Sequence, residues 1–199
     1  MTLRRALVVL VAGFFLIAAG LAAYAVRMRA RAQVLIDSAS QIRTVADAER
    51  QITIWRRRSG VSLNEETSLQ DGDHSYDIRL DNSLLYLLHI VPPTMVGMTI
   101  TVRDGRLRSV ILAMFTGRRP NTTSGVWVQE WFDSADTSNL HVNDKDKPWK
   151  ATVQFSSAAP EAARERAFAL NAECFVKLGG CKSAEEILPT VWELDVARN

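Results

Sequence analysis

Histidine and cysteine are scarce in this sequence, and where they stand removes several chemistries at once. His74, His89 and His141 are scattered, and none has a zinc-ligand spacing relative to Cys174 or Cys181. No metal and no cofactor is expected. Gly-x-Ser-x-Gly, His-Glu-x-x-His, Cys-x-x-Cys and phosphate-cradling glycine loops are all missing, so the local signatures of hydrolases, zinc enzymes and nucleotide enzymes are absent. The sequence also lacks internal repeats, low-complexity tracts and any basic stripe interleaved with aromatics, and no nucleic-acid partner is expected. A second apolar run long enough to cross a bilayer is missing too, since LLYLLHIV at 84–91 is far too short.

One such run is present. From Ala6 to Val26 the chain is uncharged for 21 residues, and at 1.5 Å per residue a helix of that length spans the roughly 30 Å hydrocarbon core of a bilayer. It has no polar face, and Tyr24 falls at its interfacial end, where an amphipathic ring is favoured. Two readings fit it: a transmembrane anchor, or a signal peptide cleaved after Ala25 in the small-x-small sequence Ala23-Tyr24-Ala25, which would leave the protein secreted. The run is long for a signal peptide, which favours the anchor. No cysteine stands directly after the run, which excludes a bacterial-type lipoprotein.

The net charge of +2 conceals an asymmetry: ten arginines and three acids precede Gly60, while fourteen Lys/Arg and nineteen acids follow it. The excess positive charge is thus membrane-proximal and suited to anionic headgroups, which makes the lipid bilayer the first partner. Arg4 and Arg5 on one side nearly balance Arg27, Arg29 and Arg31 on the other, so the positive-inside rule alone does not orient the segment. The cysteines orient it. Cys174 and Cys181 lie in ECFVKLGGC, where Gly179-Gly180 lets the chain fold back; the spacing predicts one disulfide and hence an extracytoplasmic C-terminal domain, periplasmic or extracellular.

Beyond the anchor the sequence predicts a juxtamembrane amphipathic helix within 27–60, with Val45, Ala48, Ile52 and Trp55 on one face and Thr44 with Asp47 as a cap. A polar loop is expected from Val61 to His74. Alternation of Tyr76, Ile78 and Leu80 with Asp77, Arg79 and Asp81 marks a strand, and Asp104-Gly105 between two apolar stretches marks a two-residue hairpin. Further strands are expected over GVWVQEWFD and KATVQFSS. Pro160 opens a helix, with Ser156 and Ser157 as candidate caps, that runs to Gly179-Gly180, and Ser183 with Glu186 caps a final short turn. The fold class is therefore α+β: an N-terminal transmembrane helix, a long amphipathic helix packed on a four- or five-stranded antiparallel sheet, and a C-terminal helix. The divisions expected are an n-region at 1–5, the anchor at 6–26, the juxtamembrane helix at 27–60 and the extracytoplasmic domain at 61–199.

Candidate sites are few. Asp71, Asp73, Ser75 and Asp77 superficially resemble a calcium loop, but Tyr76 and Asn82 stand where its glycine and final acid belong, so the segment reads as a solvated turn. Trp127 and Trp131 share one face of a strand; exposed, they would form an aromatic platform, and burial is the commoner fate of such rings. Arg118 and Arg119, in the loop before Gly125, suit an anionic contact. Asn121-Thr122-Thr123 matches a glycosylation acceptor. These residues predict a non-enzymatic, membrane-tethered binding or assembly domain for a protein or surface-polymer partner. Two alternatives stay open: a hydrolase built from His74 or His141 with Asp77 or Asp144, and an assembly subunit packing its anchor through Gly13 and Gly20.

Overall fold

Helix α1 (Leu3–Gln41) contains the whole uncharged run and continues into the core of a folded domain without a break. The computed structural model describes residues 3–58, 60–67, 72–117, 124–132, 141–143 and 146–194. Within α1 the character of the surface changes at one point. Leu7 to Ile17 are largely exposed and apolar, so this helix is long and apolar enough to cross a membrane. From Met28 onward, Met28, Ala32, Leu35, Ile36 and Ala39 recur at spacings of four, three, one and three and are buried against the sheet.

A short turn at Ile42–Thr44 redirects the chain into α2 (Val45–Arg56). The expected cap is formed: the Thr44 hydroxyl accepts from the Asp47 amide at 3.2 Å, and the Asp47 carboxylate accepts from the Thr44 amide at 3.1 Å. Ala48, Ile52 and Trp55 are buried as their spacing predicts. Arg58 lies over the Trp55 ring at 4.5 Å, and Arg56 pairs with Glu65 at 3.3 Å.

Seven strands form one sheet: β1 (Ser62–Thr67), β2 (Asp73–Asp81), β3 (Thr94–Arg103), β4 (Arg106–Thr116), β5 (Ser124–Trp131), β6 (His141–Asn143) and β7 (Lys150–Ser156), in the order β1-β2-β3-β4-β5-β7-β6. All neighbours are antiparallel except β5 and β7, which run parallel. The expectation of four or five antiparallel strands is corrected on both counts. β1 occupies what reads as a polar loop, because an edge strand of sequence SLNEET buries too little to show alternation; β6 has only three residues. The direction of β7 beside β5 is set by how the chain returns to the sheet and leaves no local trace in a half-buried strand. The predicted hairpin joins β3 to β4, with Asp104 and Gly105 both at positive φ (49° and 68°), the geometry of a type I′ turn.

Between β2 and β3 the apolar run forms a short helix, α3 (Ser83–Leu87). The long C-terminal helix expected after Pro160 is shorter: α4 (Glu161–Phe168) ends, and a 3-10 helix (Ala172–Phe175) follows. Asn171 breaks the run. Its side-chain oxygen accepts locally from the Glu173 amide at 3.0 Å, and its amide nitrogen donates to the Glu186 carbonyl, 15 residues on, at 3.1 Å; both compete with helix continuation. Neither Ser156 nor Ser157 caps α4, whose N-cap is Pro160. The disulfide Cys174–Cys181 closes the next loop, with Gly179 and Gly180 at φ 78° and 72°, and Ser183 caps α5 (Ala184–Ile187) by accepting from the Glu186 amide.

All the described helices that pack on the sheet lie on one face of it. Val96, Met98, Ile100, Val110, Leu112, Met114, Val126, Val128, Val153 and Phe155 alternate along their strands toward α1, α2, α4 and α5, and form the core.

Candidate binding surface

The opposite face of the sheet carries no described helix, and its composition follows from the same alternation. Register places Trp127 beside Ala113 and Thr152, Gln129 beside Ile111 and Gln154, and Trp131 beside Ser109 and Ser156. On the other half, Asp77 lies beside Thr99 and Ser75 beside Thr101. Thr99 donates to Asp77 at 3.2 Å, Arg79 pairs with Asp77 at 2.7 Å, and Gln154 donates to Gln129 at 3.2 Å. The Phe115 and Trp127 rings meet edge to face with centroids 6.4 Å apart. Outer-face side chains thus hold one another in place through hydrogen bonds, an ion pair and a ring contact.

Burial of the Trp127 and Trp131 face, the commoner fate of such rings, is not what the structure shows. Trp127 is 39% exposed and Trp131 is half-buried, because Val126, Val128 and Glu130 take the inward positions of β5. Arg118 and Arg119, Asp71, Asn121 and Asp144 lie outside the described residues. Asp73 belongs to an ion-pair cluster at the far end of the sheet: Arg103 Nε lies 2.5 Å and Arg108 Nη1 3.1 Å from its carboxylate oxygens.

Of the residues of the hydrolytic alternative, His74, Asp77 and His141 fall among the described residues, and their strands do not bring them together. His74 and Asp77 are three apart on β2, so their side chains leave opposite faces of the strand. His141 sits on β6, five strands from β2 in the sheet order, which at about 4.8 Å per strand is roughly 24 Å.

Sequence reasoning missed one charged site altogether. Glu130, on the inward face of β5, and Arg164, on α4, are both completely or almost completely buried, with the Arg164 Nε 2.7 Å from each Glu130 oxygen. Arg164 also donates to the carbonyls of Ser40 and Ile42, the latter at 2.9 Å, and Arg43 approaches Glu130 at 3.6 Å. Burial pushes the Glu130 carboxyl up, to about 8, while Arg43 pulls it down. Both of its oxygens nevertheless accept from the permanently charged Arg164, an arrangement that favours the carboxylate over the acid. The pair is an ion pair that ties the end of α1 to the sheet and to α4. The one signal available was a glutamate in register with Val126 and Val128.

Concave features are small. A cleft of about 230 Å³ lies at the β2–α3 corner, lined by Asp81, Asn82, Tyr86, Met95 and Phe115. Another of about 430 Å³ lies at the β3–β4 hairpin, lined by Arg103, Asp104, Arg106 and Arg108. No protein-family model matches the chain, and no curated protein or solved structure matches it significantly.

Proposed function

We propose that this protein is a membrane-tethered, extracytoplasmic binding domain that holds an extended surface polymer of sugars across the outer face of its sheet. The observation that carries this reading is the sheet face that no described helix covers, with Trp127, Gln129 and Trp131 aligned along β5 and Gln154 and Thr152 beside them. Sugar rings stack on indoles, and their hydroxyls exchange hydrogen bonds with amides and threonines. Tethering is supported by the exposed apolar half of α1, and display outside the cytoplasm by the disulfide. The separation of His74 from Asp77 argues against a hydrolytic site built from that pair.

A photo-crosslinking residue placed at Gln129 or Thr99 in the full chain, in cells that express it, tests the proposal. The expected product is a glycosidase-sensitive adduct at these positions and none at Arg50, on the exposed side of α2. A discrete protein adduct would replace the polymer with a protein ligand. Absence of any adduct at both outer-face positions would sink the reading.

A further inference from the structure

The end of the domain from which α1 leaves toward its apolar half is itself apolar. Strand register puts the last residue of β2, the first of β3, the last of β4 and the first of β5 and β7 at one end of the sheet. α3 hangs from that end: Asn82 is buried and donates to the carbonyls of Pro92 and Phe175, both at 3.0 Å. Gly180 lies so close to Pro92 that a Cβ on it would stand 2.5 Å from the proline Cγ, and Trp149 and Gly179 line the same recess as Pro92. Glu173, in the 3-10 helix, pairs with Arg29 of α1 at 2.9 Å. α3, the Leu178 turn, Trp149 and residue 29 of the anchor helix therefore share one end of the molecule.

This end gathers most of the exposed apolar surface of the domain. Leu87 is 71% and Leu178 75% exposed, with Leu84, Tyr86, Leu88 and Trp149 also exposed; beyond α1, only Ile54 and Trp127 among the described large apolar side chains are exposed elsewhere. His89 closes α3 in a left-handed turn (φ 57°), which ends the helix with Leu87 and Leu88 still uncovered.

Resting on the reading of α1 as a membrane anchor, we propose that this apolar lip is a second membrane contact, seated in the interface of the same bilayer that α1 crosses. The decisive point is the absence of a spacer. The uncharged run ends at Val26, and the first fully packed residue of α1 is Met28, with Tyr24 already against the core. At 1.5 Å per residue that leaves about 3 Å between hydrocarbon edge and domain. A domain held so close cannot keep Leu87 and Leu178 clear of the headgroup layer. Tyr86 and Trp149 have the amphipathic rings favoured at that depth, and the exposed cations Arg27 and Lys182 suit lipid phosphates. Seating the lip also fixes the tilt of the sheet relative to the membrane, and so the direction in which its outer face is presented.

The test uses the full chain with Leu87→Cys, Leu178→Cys, Leu10→Cys or Arg106→Cys, each carrying a nitroxide, reconstituted in phosphatidylcholine–phosphatidylglycerol vesicles. The native cysteines are bonded to each other and leave the new thiol as the labelling site. Labels at 87 and 178 are expected to collide more with oxygen than with a water-soluble nickel complex, as the label at 10 does, and the label at 106, on the distal hairpin, is expected to do the reverse. If 10 is in lipid while 87 and 178 match 106, the lip proposal fails and the anchor stands. If 10 is also in water, both fail. Dipolar coupling between labels at 87 on two chains, with both collision partners excluded, would overturn the proposal in favour of a second copy of this protein.

Discussion

Glu130 and Arg164 form a buried ion pair in the core. Removing one partner leaves an unpaired charge in the core, so Glu130→Leu or Arg164→Met should each destabilise the domain by about 3–5 kcal/mol. Combining the two should restore most of that loss, short of what the Ser40 and Ile42 carbonyls forfeit when Arg164 no longer donates to them. Thermal unfolding of the detergent-solubilised chain checks both the losses and the recovery. At the helix turn, Thr44→Ala should cost about 1 kcal/mol as a lost cap. Asp47 is held below the ordinary carboxyl range, chiefly by its hydrogen bond from the Thr44 side chain. Since the folded value lies below the unfolded one, this contribution is present above the unfolded pKa, about 3.9, and is lost as pH falls through the folded value. A carboxyl titration followed by NMR should find Asp47 of the Thr44→Ala protein moved back up toward that ordinary value. On the outer face, Trp127→Ala should weaken ligand binding roughly tenfold or more (about 1.4 kcal/mol), measured by affinity electrophoresis on the polymer recovered by cross-linking; unchanged mobility would remove Trp127 from the binding surface.

Among the elements, legibility tracked how local each determinant is. α1 was readable from an uncharged run, the hairpin from Asp104-Gly105, the start of α2 from Thr44 and Asp47, and the C-terminal loop from two glycines between two cysteines. Each of these is encoded within a few residues. β1 was not readable, because an edge strand facing solvent lacks the alternation that burial imposes, and the parallel pairing of β5 with β7 is decided by chain return and not by composition. The long helix expected after Pro160 failed at Asn171, whose side-chain bonds reach Glu186, 15 residues on. The Glu130–Arg164 pair spans 34 residues and was invisible for the same reason. The outer face was half legible: alternation placed Trp127 and Trp131 together, but which face the helices would cover depended on the whole sheet. The C-terminal loop offers a test at this scale. Cys174→Ser with Cys181→Ser should cost about 2–3 kcal/mol for so short a loop, and Gly180→Ala should destabilise as well, since its φ of 72° and the nearness of Pro92 and Thr116 leave no room for a Cβ. Melting curves of the two variants, compared with the parent chain, read both effects.

For the whole molecule, one helix has two characters: its first half is exposed and apolar enough to cross a membrane, and its second half completes the core beneath the seven-stranded sheet of the described residues. If α1 crosses a bilayer, this continuity makes the domain's position relative to it a consequence of packing, and the proposed ligand face is the sheet face that no described helix covers. Tethering and extracytoplasmic display therefore require α1 to be retained in the mature protein and Cys174 and Cys181 to be joined. The intact mass of the protein recovered from washed membranes reads both at once. It should equal that of a chain retaining residues 6–26 and lighter by two hydrogens for the disulfide. A soluble chain beginning at Val26, or a membrane-bound one with both thiols free, would contradict it.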